Sequence, residues 1–351
     1  MQASGRHAGL GLALVSAFAF GGSGVAAKPL IEAGLDPLHM VWLRVAGAAL
    51  VLSPLAWRHR DLVRRRPALV AGFGLVAVAG VQAFYFASLS RIPVGVALLL
   101  EYLGPALLLG YIRFVQRKPV TRGAAAGAAV AVAGLACVVE IWAGLSLDLL
   151  GVLFGLAAAC CQAFYFVFAD QGADGDDVPD PLGVIAYGML VGTLVMTVIA
   201  RPWEIDWQVL GGRAAMGDTM VPAPVLLGWV VLIATVFAYL TGVVSVRKLS
   251  PQVAGVVAVL EAVVATVLAW VLLGEHLSTW QIVGGGLVLG GAFIAQSSRS
   301  GPAAQATPAA PATPEAPATP EATATGEAAG TPSAPADGAA AAALDRETTR
   351  A

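Results

Sequence analysis

The sequence predicts an all-α integral membrane protein, ten transmembrane helices arranged as two inverted five-helix repeats. Three observations carry this. Of 351 residues, 58% are hydrophobic and only 12% charged, about half the charge of a soluble domain. Ten apolar stretches are each long enough for a membrane helix, which needs about 20 residues. A short motif recurs at a shift of 160 residues, in the fourth segment of each half. The mean hydropathy is +0.79.

The ten spans run roughly over 8–28, 36–57, 68–88, 92–113, 121–140, 149–169, 182–200, 223–246, 251–273 and 279–297. The first has too long an apolar run and too short a charged lead-in for a cleavable signal peptide. Lys and Arg in short loops set the orientation. Arg58, Arg60, Arg64, Arg65 and Arg66 follow span 2, Arg113, Arg117, Lys118 and Arg122 surround the loop after span 4, and Arg247 and Lys248 follow span 8. The opposite side holds Lys28, Arg91, Arg201 and Arg213. Even-numbered spans therefore end in the cytoplasm, both termini are cytoplasmic, and the expected location is the plasma (inner) membrane. Asp174, Asp176, Asp177 and Asp180 fall on the inner side, but acidic residues weigh little in this rule.

Three regions follow: a first repeat over 1–145, a second over 146–297, and a tail over 298–351. The tail holds eight prolines, one leucine and no aromatic, valine or isoleucine. Such a segment cannot bury enough apolar surface to offset its ordering entropy, so a disordered cytoplasmic tail is expected.

The recurring motif reads S-R-I-P-V-G-V-A-L-L-L-E at Ser90–Glu101 and S-P-Q-V-A-G-V-V-A-V-L-E at Ser250–Glu261. Five helices per half is an odd number, so the second half enters from the opposite side. Inverted repeats are the common plan of secondary transporters. The pentapeptide Q-A-F-Y-F at Gln82–Phe86 and Gln162–Phe166 lies in spans 3 and 6, which are not repeat mates, and has no symmetry account.

The polar residues at depth are the candidate site. Glu101 and Glu261 fall near the middles of spans 4 and 9. An ionised acidic residue there costs about 2.5–3.5 kcal/mol to insert. A carboxyl at that depth is suited to exchanging a proton as its hydration changes; it can also bind a substrate amine, or simply bond a neighbouring helix. Gly104 and Pro105 follow Glu101, giving close approach and a freed carbonyl, so spans 4 and 9 are expected to be irregular near their glutamates. Arg44 lies well inside span 2. It either snorkels outward or pairs with Glu101 or a substrate carboxylate. Lys28 is expected to snorkel. Gln82, Tyr85, Gln162 and Tyr165 offer hydrogen bonds at cavity depth, and Trp42 and Tyr102 adjoin the charges. Glu140, Asp148 and Asp170 are read as solvated, and Glu275 and His276 as a surface turn. Ser278 with Gln281 reads as a capping box. Gly123-x3-Gly127 and Gly286-x3-Gly290 read as scaffold or as a dimer face, so the partners expected are a small-molecule substrate, protons, lipid and a second copy.

Other classes find little support. The net charge of −2 gives no basic footprint for nucleic acid. Cys137, Cys160 and Cys161 lie in apolar runs without metal spacing. No phosphate-binding loop and no H-E-x-x-H occurs, and Gly21-Gly22-Ser23-Gly24 follows no strand. No cofactor, metal or catalytic residue is expected. A membrane-embedded enzyme or a sensor is the alternative of another class.

With these residues in view, the chain resembles the drug/metabolite transporter superfamily, EamA type. Val271–Gly291 is similar to the end of an EamA repeat. Arg91–Pro105, R-I-P-V-G-V-A-L-L-L-E-Y-L-G-P, resembles the threonine/homoserine exporter branch. Two departures stand out: R-K-P-V in the loop after span 4, where a G-E pair is typical, and Ala262 after Glu261, where proline is common. The resemblance implies a central cavity between the halves, alternating access, and export of small amino acids or related metabolites against proton entry. A broad drug or hydrophobic-cation exporter of the same fold is the alternative.

Overall fold

A computed structural model describes residues 2–140, 142, 147–172, 179–248 and 251–298. Almost every described segment is helical. The first, α1 (Gln2–Glu32), starts earlier than its apolar stretch, because polar residues can extend a helix beyond the bilayer. Gly34 turns the chain at a φ of 107°, a backbone shape that glycine takes without a side-chain clash. Helix α2 (Pro37–Arg58) then begins with proline in its first turn, and the Asp36 carboxylate accepts from the Leu38 N–H at 2.8 Å. That cap satisfies an otherwise orphaned amide.

Short helices α3 (Asp61–Arg65) and α4 (Pro67–Gly72) follow, and α4 runs through a wide π-type stretch, Phe73–Gly80, into α5 (Val81–Leu89). The next span is broken as expected. Helix α6 (Val94–Glu101) stops at the glutamate, Tyr102 and Leu103 form a turn, and α7 (Gly104–Gly110) restarts with Pro105 in its first turn. Proline suits that place because a first-turn amide lacks a helical partner anyway.

Helix α8 (Arg122–Val139) is capped by Thr121. Helix α9 (Leu149–Gly172) follows Asp148, whose carboxylate accepts from Gly151 N–H at 2.7 Å, and α10 (Pro181–Ala200) is capped by Asp180. The connection to the next span holds α11 (Trp207–Gly211) and an unexpected hairpin, β1 (Arg213–Met216) with β2 (Thr219–Pro222). Its two-residue turn is Gly217-Asp218, with Gly217 at a φ of 57°, a recognisable hairpin signal. Helix α12 (Ala223–Gly228) leads through a second wide stretch, Trp229–Phe237, into α13 (Ala238–Lys248). Helices α14 (Pro251–Leu273) and α15 (Thr279–Ser297) complete the described chain. Helix α14 is continuous, so the expected irregularity at Glu261 does not occur. Pro105 follows the break in α6–α7, whereas Ala262 lets the helical hydrogen bonds run on.

Among the described residues, seven helical runs are long and apolar enough to cross a membrane. These are Gly11–Glu32, Pro37–Arg58, Pro67–Leu89, Val94–Val115, Arg122–Val139, Pro181–Ala200 and Ala223–Ser245, with shorter apolar helices at Leu149–Tyr165, Leu260–Leu273 and Thr279–Ala295. Leu50, Phe114 and Val198 are 75%, 80% and 76% exposed. Apolar side chains this bare suit a lipid-facing surface better than water. The expected tail beyond Ser298, and Asp174, Asp176 and Asp177, lie outside the described residues.

Small residues bring helices together, because lipid tails leave little hydrophobic drive for helix association. The closest seam is α8 on α15, and its glycines are spaced by seven. A Cβ on Gly127 would lie 2.6 Å from the Gly291 carbonyl oxygen, and one on Gly134 would lie 2.7 Å from that of Gly284. Gly286 and Gly290 both point to open space, so of the two expected roles scaffold packing within the chain is not made by them. The capping box at the start of α15 is present, with Ser278 N–H on the Gln281 side chain at 3.0 Å and Gln281 N–H on Ser278 Oγ at 3.1 Å.

Candidate functional site

The site begins with Arg44 on α2. Its side chain is 4% exposed, so it does not snorkel. A buried guanidinium must be hydrogen-bonded to be tolerated. Nε donates to Thr235 Oγ1 at 2.8 Å, and Nη1 donates to Ser23 Oγ and to Gln82 Oε1, both at 2.9 Å. The Phe86 ring lies 5.5 Å from the guanidinium carbon, within cation–π range. The partners come from α1, α5 and the wide stretch before α13. Thr235 in turn donates to the Val230 carbonyl at 2.7 Å, five residues back, where that stretch offers its acceptor. Three of the five guanidinium N–H groups are thus used. Among the described residues, the two on Nη2 have no hydrogen-bond partner.

The carboxyls sit on other elements. Glu101 ends α6, and the Gln162 amide on α9 donates to its Oε1 at 3.3 Å. Gly104 makes this possible, since a Cβ there would overlap the Gln162 side chain. Glu261 on α14 accepts from the Tyr102 hydroxyl at 3.2 Å. Both carboxyls lie within Coulombic reach of Arg44 and of each other. Among the described residues neither forms an ion pair with Arg44, so of the alternatives for Arg44 the pair with Glu101 is not made. Neutral acceptors hold the cation and neutral donors hold the carboxyls. A guanidinium and two carboxyls thus stand on separate helices within Coulombic reach of one another.

The two copies of Q-A-F-Y-F now have an account. They lie on α5 and α9, which pack together, and each glutamine serves one charge. Gln82 accepts from the cation through its oxygen, while Gln162 donates to a carboxyl through its nitrogen. Tyr85 is buried beside the Phe86 ring, 5.4 Å between centroids. A Cβ on Gly24 would fall 2.5 Å from the Tyr85 hydroxyl. Tyr165 lies edge-on to Phe73 at 5.4 Å. Trp42 adjoins the site, but its N–H goes to Thr197 Oγ1 at 2.8 Å.

Two expectations at the helix ends, for Lys28 and Glu275, are corrected, while Asp148 is exposed as expected. Lys28 does not snorkel, and Glu275 is not a plain surface turn: the two pair at 2.5 Å. Asp148 caps α9 and faces Arg91 at 3.6 Å. Glu140 accepts a hydrogen bond from the Ser278 hydroxyl. These partners come from segments far apart in the chain. The Asp170 side chain lies outside what the structure describes.

Sequence reasoning missed Ser23, Thr235, Thr197 and Tyr239. Tyr239 packs edge-on against Phe20 at 4.9 Å and is within Coulombic reach of Arg44. A mid-span hydroxyl is a weak signal, because it can bond its own helix four residues back. Thr193, Thr241 and Thr266 do so, to Met189, Phe237 and Ala262. Among the described residues no group of three or more His, Cys, Asp or Glu could hold a metal ion.

Comparison with known proteins gives this site a context. The profile of the EamA-like transporter family matches residues 7–140 and 149–296. The threonine/homoserine exporter RhtA of Escherichia coli (strain K12) is 26% identical over 251 residues, 70% of this chain and 77% of its own. RhtA of Salmonella typhimurium (strain LT2) is 27% identical over 245 residues, 69% of this chain and 75% of its own. A solved crystal structure with 21% identity aligns at a TM-score of 0.52, covering 83% of this chain and 96% of its own; this is a likeness of fold.

Proposed function

The chain belongs to the EamA-like transporter family, and on that premise we propose that it exports small zwitterionic metabolites, amino acids such as threonine and homoserine. Transport is by proton-coupled alternating access across the inner membrane. The architecture is ten spans in two inverted repeats, 1–145 and 146–297, with both termini cytoplasmic. The supporting sequence feature is the matched Ser90–Glu101 and Ser250–Glu261 segments.

One observation carries the substrate reading. Arg44 is buried and, among the described residues, two of its N–H groups have no partner, while two carboxyls stand on other helices within Coulombic reach. A buried donor without a partner carries a desolvation penalty. A substrate carboxylate on Nη2 relieves it, and charge-assisted bonds of this type are the strong ones. The substrate ammonium then takes Glu101, or Glu101 carries the coupling proton. Tyr102 and Gln162 hold the two carboxyls in place. Tyr85, Tyr165 and Trp42 bound the space. Gly104 and Pro105 supply the helix break that exposes polar backbone to it.

The test is counterflow in proteoliposomes with labelled threonine or homoserine, with and without an inward proton gradient. Saturable, gradient-stimulated exchange is expected. Folded protein that exchanges neither amino acid under either condition would defeat this substrate assignment. The two carboxyls against one guanidinium favour one alternative, a hydrophobic-cation exporter. Such a substrate has no use for Arg44.

A further inference from the structure

On one side of the polar layer, α1 and α14 run parallel and in register. Gly21 packs on the Glu261 carbonyl, where a Cβ would come within 2.9 Å. One turn on, Val25, Val94 and Ala269 form a buried apolar cluster, with Leu268 and Leu273 against it. A Cβ on Gly24 would lie 2.7 Å from Val94 Cγ1, and one on Gly95 would lie 2.7 Å from Thr266 Oγ1. Three helices, α1, α6 and α14, are thus closed on one another without a gap wide enough for a methyl group at those points.

Above this plug sits the Lys28–Glu275 pair. Each side chain is 13% exposed. The ammonium also donates to the Ile92 carbonyl at 3.2 Å. The second oxygen of Glu275 accepts from the Val94 N–H at 2.8 Å, the first amide of α6. Glu275 therefore holds both Lys28 and the N-terminus of an eight-residue helix whose last residue is Glu101. Such a helix is about 12 Å long. A rigid rod of that length moves as a unit, so anything that shifts Glu101 acts on the other end.

We propose that Lys28 and Glu275, with the Val25–Val94–Ala269 plug beneath them, form a latch. It closes the site on the face opposite the arginine-rich loops, and α6 ties it to Glu101. Arg58 and Lys28 lie toward opposite ends of the antiparallel α1–α2 pair, which places the latch away from those loops. Opening that face requires α6 or α14 to part from α1, and the ion pair is what must break. This rests on the alternating-access reading above.

The test needs no substrate, so its outcome is independent of which solute is carried. In the full chain with Cys137, Cys160 and Cys161 changed to serine, Tyr102→Cys reports access to the site. Its labelling by a membrane-impermeant thiol reagent is measured from each side of the membrane in proteoliposomes. Lys28→Gln and Glu275→Gln each remove one charge, and the second keeps an acceptor for Val94. Each is expected to raise labelling from the Lys28 side by about tenfold, without a matching rise from the other side. Lys28→Arg keeps the charge and should label like the parent. Unchanged labelling in both glutamine variants would overturn the latch. So would an equal rise from both sides, which would mean general loosening.

Discussion

Replacing Arg44 separates binding from folding. Arg44 already donates three hydrogen bonds, to Thr235, Ser23 and Gln82, and among the described residues keeps the two N–H groups of Nη2. A substrate carboxylate on that nitrogen gains up to two charge-assisted bonds, each worth about 1.5–3 kcal/mol net. Ordering the substrate takes back part of this. Arg44→Ala is therefore expected to cost about 3 kcal/mol of substrate affinity, on the order of a hundredfold. Arg44→Lys keeps the charge but not the planar fork. Its three N–H groups are claimed first by Ser23, Gln82 and Thr235, so about tenfold is expected. The alanine variant also strands Gln82 Oε1 and leaves a cavity, which costs about 1–3 kcal/mol of stability. Thermal unfolding in detergent measures that cost separately. The assay is the concentration of threonine giving half-maximal counterflow. A folded Arg44→Ala protein with a half-saturation within about twofold of the parent would refute the carboxylate assignment and favour the cation reading.

Three further outcomes follow from the geometry. Glu101→Gln preserves size and the contact with Gln162 but cannot exchange a proton; the folded variant should keep exchange while losing its dependence on the proton gradient, and an unchanged response across pH would rule out Glu101 as the coupling group. Gly127→Val forces a side chain against the Gly291 carbonyl and should lower stability by about 2–4 kcal/mol. Gly290→Ala meets open space and should be neutral or stabilising by about 1 kcal/mol through helix propensity; a comparison of melting temperatures checks both, and equal effects would contradict the seam assigned here. Tyr102→Phe removes the hydrogen bond to Glu261; it should alter the pH profile of transport more than the melting temperature, whereas a purely structural role would shift only the latter.

The sequence alone was enough for most of the helices, though not for the hairpin β1–β2 or the unbroken α14. Apolar length marked the spans, and Pro105 marked the break after Glu101. The Ser278–Gln281 pair marked one helix start, because a cap acts within one turn of chain; the Asp36 and Asp180 caps emerged only in the structure. Glu101, Arg44 and Glu261 stood out because a charge inside an apolar run is costly wherever the helix packs. What each charge touches was decided only in three dimensions. Arg44 meets Thr235, 191 residues away, and Lys28 meets Glu275, 247 residues away. No local pattern encodes such a distance. The glycine spacing left two roles open for the same reason: Gly286 and Gly290 share a face, but only packing shows that Gly284 and Gly291 are the ones against α8. A helix presents several faces, and its own sequence does not say which neighbour will cover each.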